Sequence, residues 1–389
     1  MKNKWKTTEL GDICKFNYGK GLPKRKRIHG IYPVYGSGGI VDYNKEYYIK
    51  GPGIIVGRKG TIGSVYFEKK NFFPIDTVFY ITENKEVYDI RFLYYLLLDL
   101  GLYRLNSDAA VPGLNRNVAY QQKISLPSLN IQNKISSILS AYDDLIENNT
   151  RRIKILEEMA QLIYREWFVH FRFPGHEKVK MVDSELGKIP EGWEVRKLED
   201  FVDFIKGFEP GTKNYLDKKM PNTIPFLRVG DLNDRRSQIW IYKNIAKDRI
   251  LNKKDIALTL DGTPGIVKIG NHGAYSSGIQ KVVIKDKKIT WAYLYFLLKS
   301  EQIQETIKAY SSGTTIIHAG FSRKYMKFLI PRKEIVYDFE KCVSTLLQLK
   351  LILEEKNDFL RINRDYLLPK LISGTIDVSD LDIKTEEIK

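Results

Sequence analysis

The sequence predicts an α+β protein, with two mixed α/β domains in tandem and a long helix after each. Three observations carry this expectation. The 389 residues exceed what one ordinary core organises. Short motifs of the first half recur, in order, in the second. Each half then ends in a stretch whose apolar residues alternate steps of four and three, the pattern of a seam along one helix face.

The repeat is read directly from the positions. Trp5, Leu10, Asp12 and Phe16 open the first half, and Trp193, Leu198, Asp200 and Phe204 open the second, 188 residues later. Gly60-Thr61-Ile62-Gly63 answers Gly262-Thr263-Pro264-Gly265 at an offset of 202. Phe92 to Leu97 answers Tyr293 to Leu298 at 201, and Leu126-Pro127 answers Ile330-Pro331 at 204. The offset drifts upward, so the second copy is expected to carry extra residues in its loops. Along the seams it stays at 204. Ile135, Leu139, Tyr142, Ile146, Asn149, Ile153, Leu156, Ala160, Ile163 and Trp167 map without a gap onto Phe339, Val343, Leu346, Lys350, Leu353, Asn357, Leu360, Arg364, Leu367 and Leu371.

Within the domains, residues 53–57, 64–67, 77–81, 255–259 and 281–284 are short β-rich runs and predict strands. Residues 90–100 and 291–303 predict short amphipathic helices. Gly36 to Gly39 and Ser311 to Gly313 predict loops. The first long helix is expected after Pro127, capped by Ser128 or Asn130, with about 40 residues giving a rod of roughly 60 Å. The second follows Pro331, is bent or stopped near Pro369 and is ended by Gly374. The expected boundaries are a first domain at 1–127, a helix at 128–173, a linker at 174–192, a second domain at 193–331, a helix at 332–375 and a tail at 376–389.

Composition narrows the function. A net charge of +16, from 63 Lys+Arg against 47 Asp+Glu, favours a polyanionic partner, nucleic acid before anionic membrane. The apolar and charged fractions, 43% and 28%, suit a soluble globular protein. No apolar run reaches the roughly 20 residues of a membrane span. The two cysteines, Cys14 and Cys342, lack pair spacing, which suits a cytoplasmic protein and gives no cysteine zinc site.

Three stretches resemble the specificity (S) subunit of type I restriction–modification enzymes. They are Ser184-Glu-Leu-Gly-Lys-Ile-Pro-Glu-Gly-Trp-Glu194, Leu367-Leu-Pro-Lys-Leu-Ile-Ser-Gly374, and Val111-Pro-Gly-Leu-Asn-Arg116 ahead of Ile124-Ser-Leu-Pro127. The resemblance covers the tandem layout except the last ten or so residues. It implies two target-recognition domains, each reading one half of a bipartite, asymmetric DNA site. It implies that the helices pack as an antiparallel coiled-coil spacer. It implies a chain with no catalysis and no cofactor, docking two methyltransferase (M) subunits, with restriction/translocase (R) subunits completing the complex. One departure stands out: Ile317-His-Ala-Gly-Phe-Ser-Arg323 replaces the Val-Pro-Gly-Leu-Asn-Arg pattern in the second domain.

The residues themselves leave two rivals: a nuclease or methyltransferase with its own active site, and a coiled-coil scaffold without sequence specificity. Against the first, the chain has no Pro-Pro pair for an adenine-methyltransferase loop. Gly207 to Lys213 lacks the spacing of a phosphate loop. Asp76 followed by Glu83 and Lys85 imitates a nuclease motif without a second ligand. The five histidines show no ligand spacing.

The candidate DNA contacts follow from charge and turn chemistry. Lys24, Arg25, Lys26 and Arg27 neutralise phosphates, or form a solvated loop. Arg58 and Lys59, with Thr61, lie among glycines that permit close backbone approach, and Arg58 suits a bidentate guanine contact. Thr263 occupies the repeated loop, where Leu260-Asp261 replaces Arg-Lys and so points to a different half-site. Asn115 and Arg116, and Ser322, Arg323 and Lys324, sit where each domain returns to its helix; they read DNA or bond the helix start. Arg228, Arg235 and Arg236 flank a turn and are candidate phosphate contacts. Tyr164, Trp167, Phe168 and Phe171 form an aromatic stripe, either packed against the partner helix or second domain, or docking a methyltransferase subunit.

Overall fold

The computed structural model describes residues 5–105, 113–234, 237–314 and 317–383. It divides into two compact units, Met1–Asn148 with Asn357–Lys389, and Asn149–Lys356. Both are mixed α/β, and both use the same device to close the domain before its long helix. In the first unit strand Lys6–Glu9 pairs antiparallel with Lys123–Leu126. In the second, Glu194–Lys197 pairs antiparallel with Lys327–Ile330.

The central sheet of the first unit runs Asn17–Tyr18, Val78–Thr82, Gly53–Gly57, Val65–Glu68, all antiparallel. Successive side chains of a strand point to opposite faces. Ile54 and Val56 therefore join the main core with helix Ile90–Leu100, while Ile55 packs on the other face with Tyr35, Ile49, Phe72 and Val78. That helix begins where Asp89 accepts a hydrogen bond from Phe92 N at 2.7 Å, and it stops at Gly101, whose φ is +65°.

The second unit repeats the plan. Its sheet runs Val202–Lys206, Ile279–Ile284, Ile256–Thr259, Val267–Lys268. Ile256 and Leu258 face the main core, and Ala257 faces the smaller one with Tyr275 and Ile279. The second sheet differs between the copies. It has three strands in the first unit (Gly39–Asn44, Tyr32–Gly36, Phe73–Pro74) and four in the second (Trp240–Tyr242, Thr223–Leu227, Gly273–Tyr275, Ile250–Leu251).

Several local expectations are corrected. The single helix expected at 291–303 is two, Trp291–Lys299 and Glu301–Ala309, because Ser300 between them is extended with ψ at 149°. Gly36 and Gly39 end and begin the strands of a tight hairpin rather than forming an open loop. Residues 174–192 carry a hairpin, Met181–Ser184 against Gly187–Pro190, that buries Ile189. Pro369 does not stop the second long helix, which runs on to Ile372 and ends before Gly374, with φ at +69°. The proline forgoes one helical bond, from its own nitrogen to the carbonyl of Asp365, and the helix continues past it.

The long helices are Leu129–Phe168 and Lys333–Ile372, 40 residues each. They form an antiparallel coiled-coil pair. In the first unit Ile135 and Leu139 share a core with Leu371 and Ile372; in the second, Ala160, Tyr164 and Phe168 share one with Val336, Phe339 and Val343. None of the twenty seam residues is exposed. Two of the polar ones mark the seam chemically. Arg364 pairs with Asp143, which also accepts from Tyr95 Oη at 2.5 Å. Lys350, only 3% exposed, lies 3.5 Å from Glu157, which also binds Lys299 and accepts from Tyr295 Oη at 2.8 Å. Burial alone would push the Glu157 carboxyl up, but Lys350 and Lys299 outweigh it and hold it down at about 2. Among the described residues, no helix is long and apolar enough to cross a membrane.

Candidate nucleic-acid interface

In the first unit the backbone brings together three segments far apart in sequence. The loop after strand Gly53–Gly57 turns back on itself: Gly63 N donates to Gly57 O at 2.8 Å, with φ at +67° for Gly63. A Cβ on Gly63 would lie 2.2 Å from Tyr103 N, so only glycine fits. Arg58 and Lys59 N both donate to Thr77 O, and Lys59 bridges Gly113 of the returning chain. Helix Arg116–Tyr120 then starts on Asn115, whose side chain accepts from Asn117 N at 2.9 Å.

The result is a cleft of about 320 Å³ lined by Tyr18, Arg58, Lys59, Phe79, Asn115 and Arg116, among others. Tyr18, 52% exposed, has two guanidinium groups over its ring, Arg58 at 5.1 Å and Arg116 at 5.2 Å from the centroid. Arg58 also donates from Nη2 to Asp76 O at 2.7 Å. The Nε atoms of both arginines are buried without a hydrogen-bond partner. Arg58 is held over an aromatic ring by one backbone bond, Arg116 lies over the same ring, and guanidinium groups placed so are suited to reading acceptor atoms on a base edge. Thr61 is exposed at the loop tip.

The second unit builds the same loop with different chemistry. Gly265 N donates to Thr259 O at 2.9 Å, and Asp261–Gly262 pairs with Ile317–His318 of the returning chain. Leu260, at the position of Arg58, is wholly buried. Asp261, at the position of Lys59, lies 2.9 Å from His318 Nδ1 and 3.4 Å from Lys206 Nζ. Arg323 donates from Nε to Gly320 O at 2.9 Å and stands 5.8 Å over Phe204. Lys324 is exposed beside Phe321, and Thr263 is exposed at the loop tip.

The remaining candidates divide. Lys24, Arg25 and Lys26 form an exposed 3₁₀ turn. Arg27 is turned inward, 3.2 Å from Asp42 and from Leu22 O, so it braces the turn instead of offering charge. Arg228 sits at a turn, 3.5 Å from Asp231. Arg235 and Arg236 lie outside the described residues. Ser322 is corrected: it is buried, and its hydroxyl donates to Ala319 O at 2.6 Å. Of the two alternatives for the aromatic stripe, packing is the one the structure shows. Tyr164 and Phe168 are buried against Tyr293, Phe296 and Phe339, and Trp167 and Phe171 pack on the same core, so packing occupies the face that docking requires. Sequence reasoning missed Tyr18, Lys206 and His318. The signal was present in the repeat, since Tyr18 and Lys206 are both two residues past the matched phenylalanines.

Among the described residues, no group of three or more His, Cys, Asp or Glu side chains is placed to hold a metal ion. A duplicated loop–helix junction carrying cations and aromatic rings defines the class as a tandem nucleic-acid-reading protein. The type I restriction modification DNA specificity domain matches twice, over residues 2–158 and 190–350, and the chain belongs to this family. It is 30% identical to the MjaIX type I restriction enzyme specificity subunit of Methanocaldococcus jannaschii, over 75% of this chain and 70% of that one. It is 22% identical to the HindI specificity subunit of Haemophilus influenzae, over 78% and 81% of the two chains. In fold it is similar to the crystal structure of a type I restriction–modification S subunit from M. genitalium, at a TM-score of 0.61 and 17% identity, covering 95% of this chain and 96% of that one.

Proposed function

We propose that this chain is the DNA sequence-specificity subunit of a type I restriction–modification complex. It binds a bipartite, asymmetric site, one half-site per domain. The observation that carries the reading is the repeated loop, built on the same backbone bonds in both units but bearing Arg58-Lys59 in one and Leu260-Asp261 in the other. Equal scaffolds with unequal reading groups suit two unlike half-sites. Methyl transfer and cleavage then belong to partners: two methyltransferase subunits and, in the full complex, restriction/translocase subunits.

Methylation sequencing of the host with the gene intact and deleted tests this. A two-part motif with a fixed unspecified gap should vanish on deletion. A motif that persists overturns the reading, as does methyl transfer by the purified chain alone with DNA and S-adenosylmethionine.

A further inference from the structure

The second unit contains an acidic group at a place where a DNA-facing surface is expected to be basic. Asp261 lies on the loop that in the first unit carries Lys59, and each residue pairs with the returning chain, Lys59 with Gly113 and Asp261 with His318. A lone carboxylate there would be repelled by phosphates. This one is partly sheltered, its side chain 18% exposed, and is flanked by two donors. Lys206 Nζ lies 3.4 Å from Oδ2, and His318 Nδ1 lies 2.9 Å from Oδ1. A carboxylate offers about four acceptor sites, so these neighbours hold its orientation and leave acceptor capacity on each oxygen. Arg323 and Lys324 follow on the same returning chain and supply positive charge.

Resting on the functional reading above, we propose that Asp261 is a specificity-determining residue of the second domain. It accepts a hydrogen bond from the exocyclic amino group of one base, adenine N6 or cytosine N4, in the major groove. Lys206 and His318 are positioning residues that fix the carboxylate and offset its charge. The selectivity has an attractive and a repulsive part. A base pair with its amino group on the strand facing Asp261 is accepted. The flipped pair puts thymine O4 or guanine O6 there, two acceptors facing each other, and is rejected. The first domain has the opposite polarity, because Arg58, Lys59 and Arg116 offer only donors.

Methylation sequencing of cells carrying the wild-type gene, Asp261→Ala or Asp261→Asn tests this. Exchange of residues 1–127 identifies the half-site that belongs to the second domain, as the half that does not change. In Asp261→Ala, one position of that half-site should lose its preference for one orientation of the base pair, from about tenfold or more to near onefold. The other half-site should stay as it was. Asp261→Asn keeps the size of the side chain but adds a donor, so it should admit the flipped pair at that same position. It decides the matter alone if the alanine variant does not accumulate as folded chain. Lys206→Ala should weaken the same preference without moving it to another position. An unchanged motif in Asp261→Asn overturns the proposal while leaving the function intact. A wild-type gene with no motif of its own overturns the functional reading instead.

Discussion

The loop at residues 57–63 and the loop at 259–265 are the same backbone carrying different side chains. Each closes through one N–H donated across the turn, Gly63 to Gly57 and Gly265 to Thr259. Each then pairs with the chain returning to the long helix. The internal ties differ. In the first, Ser64 Oγ donates to Ser37 O at 2.6 Å, which fastens the loop to the neighbouring hairpin. The same hydroxyl also reaches Thr61 O of its own loop at 3.0 Å; in the second, Thr259 Oγ1 donates to Thr263 O at 2.5 Å and accepts from Ile266 N, so these ties stay within the loop. The side chains differ more: an Arg–Tyr–Arg stack in one, a Lys–Asp–His cluster in the other. Backbone bonds thus carry the common shape, and the side chains projecting from it are left to vary.

If that division holds, the two readers are separable. Exchanging residues 1–127 for the equivalent domain of another family member should replace one half-site completely and leave the other as it is. The two loops lie in separate cores, so their recognition energies should be nearly additive. Methylation sequencing reads the result directly. A change in both halves together would mean that the domains do not read independently.

A smaller effect distinguishes the two turns themselves. Gly63→Ala meets a left-handed backbone and a main-chain wall at Leu102 and Tyr103, whereas Gly265→Ala meets the same kind of backbone but only the flexible end of Gln304. We expect Gly63→Ala to destabilise its unit by roughly 3 kcal/mol or more, from strain plus overpacking. Gly265→Ala should cost about 1–2 kcal/mol, since Gln304 can move aside. Thermal unfolding of the two variants gives the comparison, and equal shifts would deny that the loops are supported differently.

The sequence made the repeat and the rods legible because both depend on periodicity. Heptad steps at an unbroken offset of 204 locate a seam regardless of what surrounds it, and none of the twenty seam positions is exposed. A continuous apolar run likewise located strand Gly53–Gly57, and an amphipathic helical pattern located helix Ile90–Leu100, to the residue. The failures came where tertiary context decides. Trp291 to Ile303 is one apolar pattern, yet Ser300 breaks it, and a second helix joins the same core through Ile303 and Ile307. Arg27 looked like part of a phosphate-binding run, but Asp42, fifteen residues away, turns it inward. The aromatic stripe left packing and docking both open, and the fold decides for packing, with Tyr164 against Tyr293, Phe296 and Phe339. Tyr18 became part of the site because sheet pairing sets it opposite Phe79, beneath both arginines.

An effect on folding smaller than either glycine change falls on the Arg–Tyr–Arg stack, and it sharpens the comparison most. Arg58 and Leu260 hold the same loop position, one half-buried beside a cleft and one wholly inside. Arg58→Ala removes a side chain whose structural ties are one hydrogen bond to Asp76 O and stacking on Tyr18 and Phe79. Its folding cost should therefore be slight. Its cost in binding should be about 1–3 kcal/mol against the cognate site, confined to one base pair of the first half-site. Arg116→Ala is the control on the same ring. If Arg116 contacts only phosphate, its removal weakens binding to every sequence alike and lowers the salt dependence of binding by about one counterion. Competition between the cognate duplex and single-base variants, at two salt concentrations, separates these behaviours. A uniform loss for Arg58→Ala would make it a phosphate contact too. The difference between the two loops would then lie in the charge each presents to the backbone, and base selection in the first domain would have to come from elsewhere on its surface.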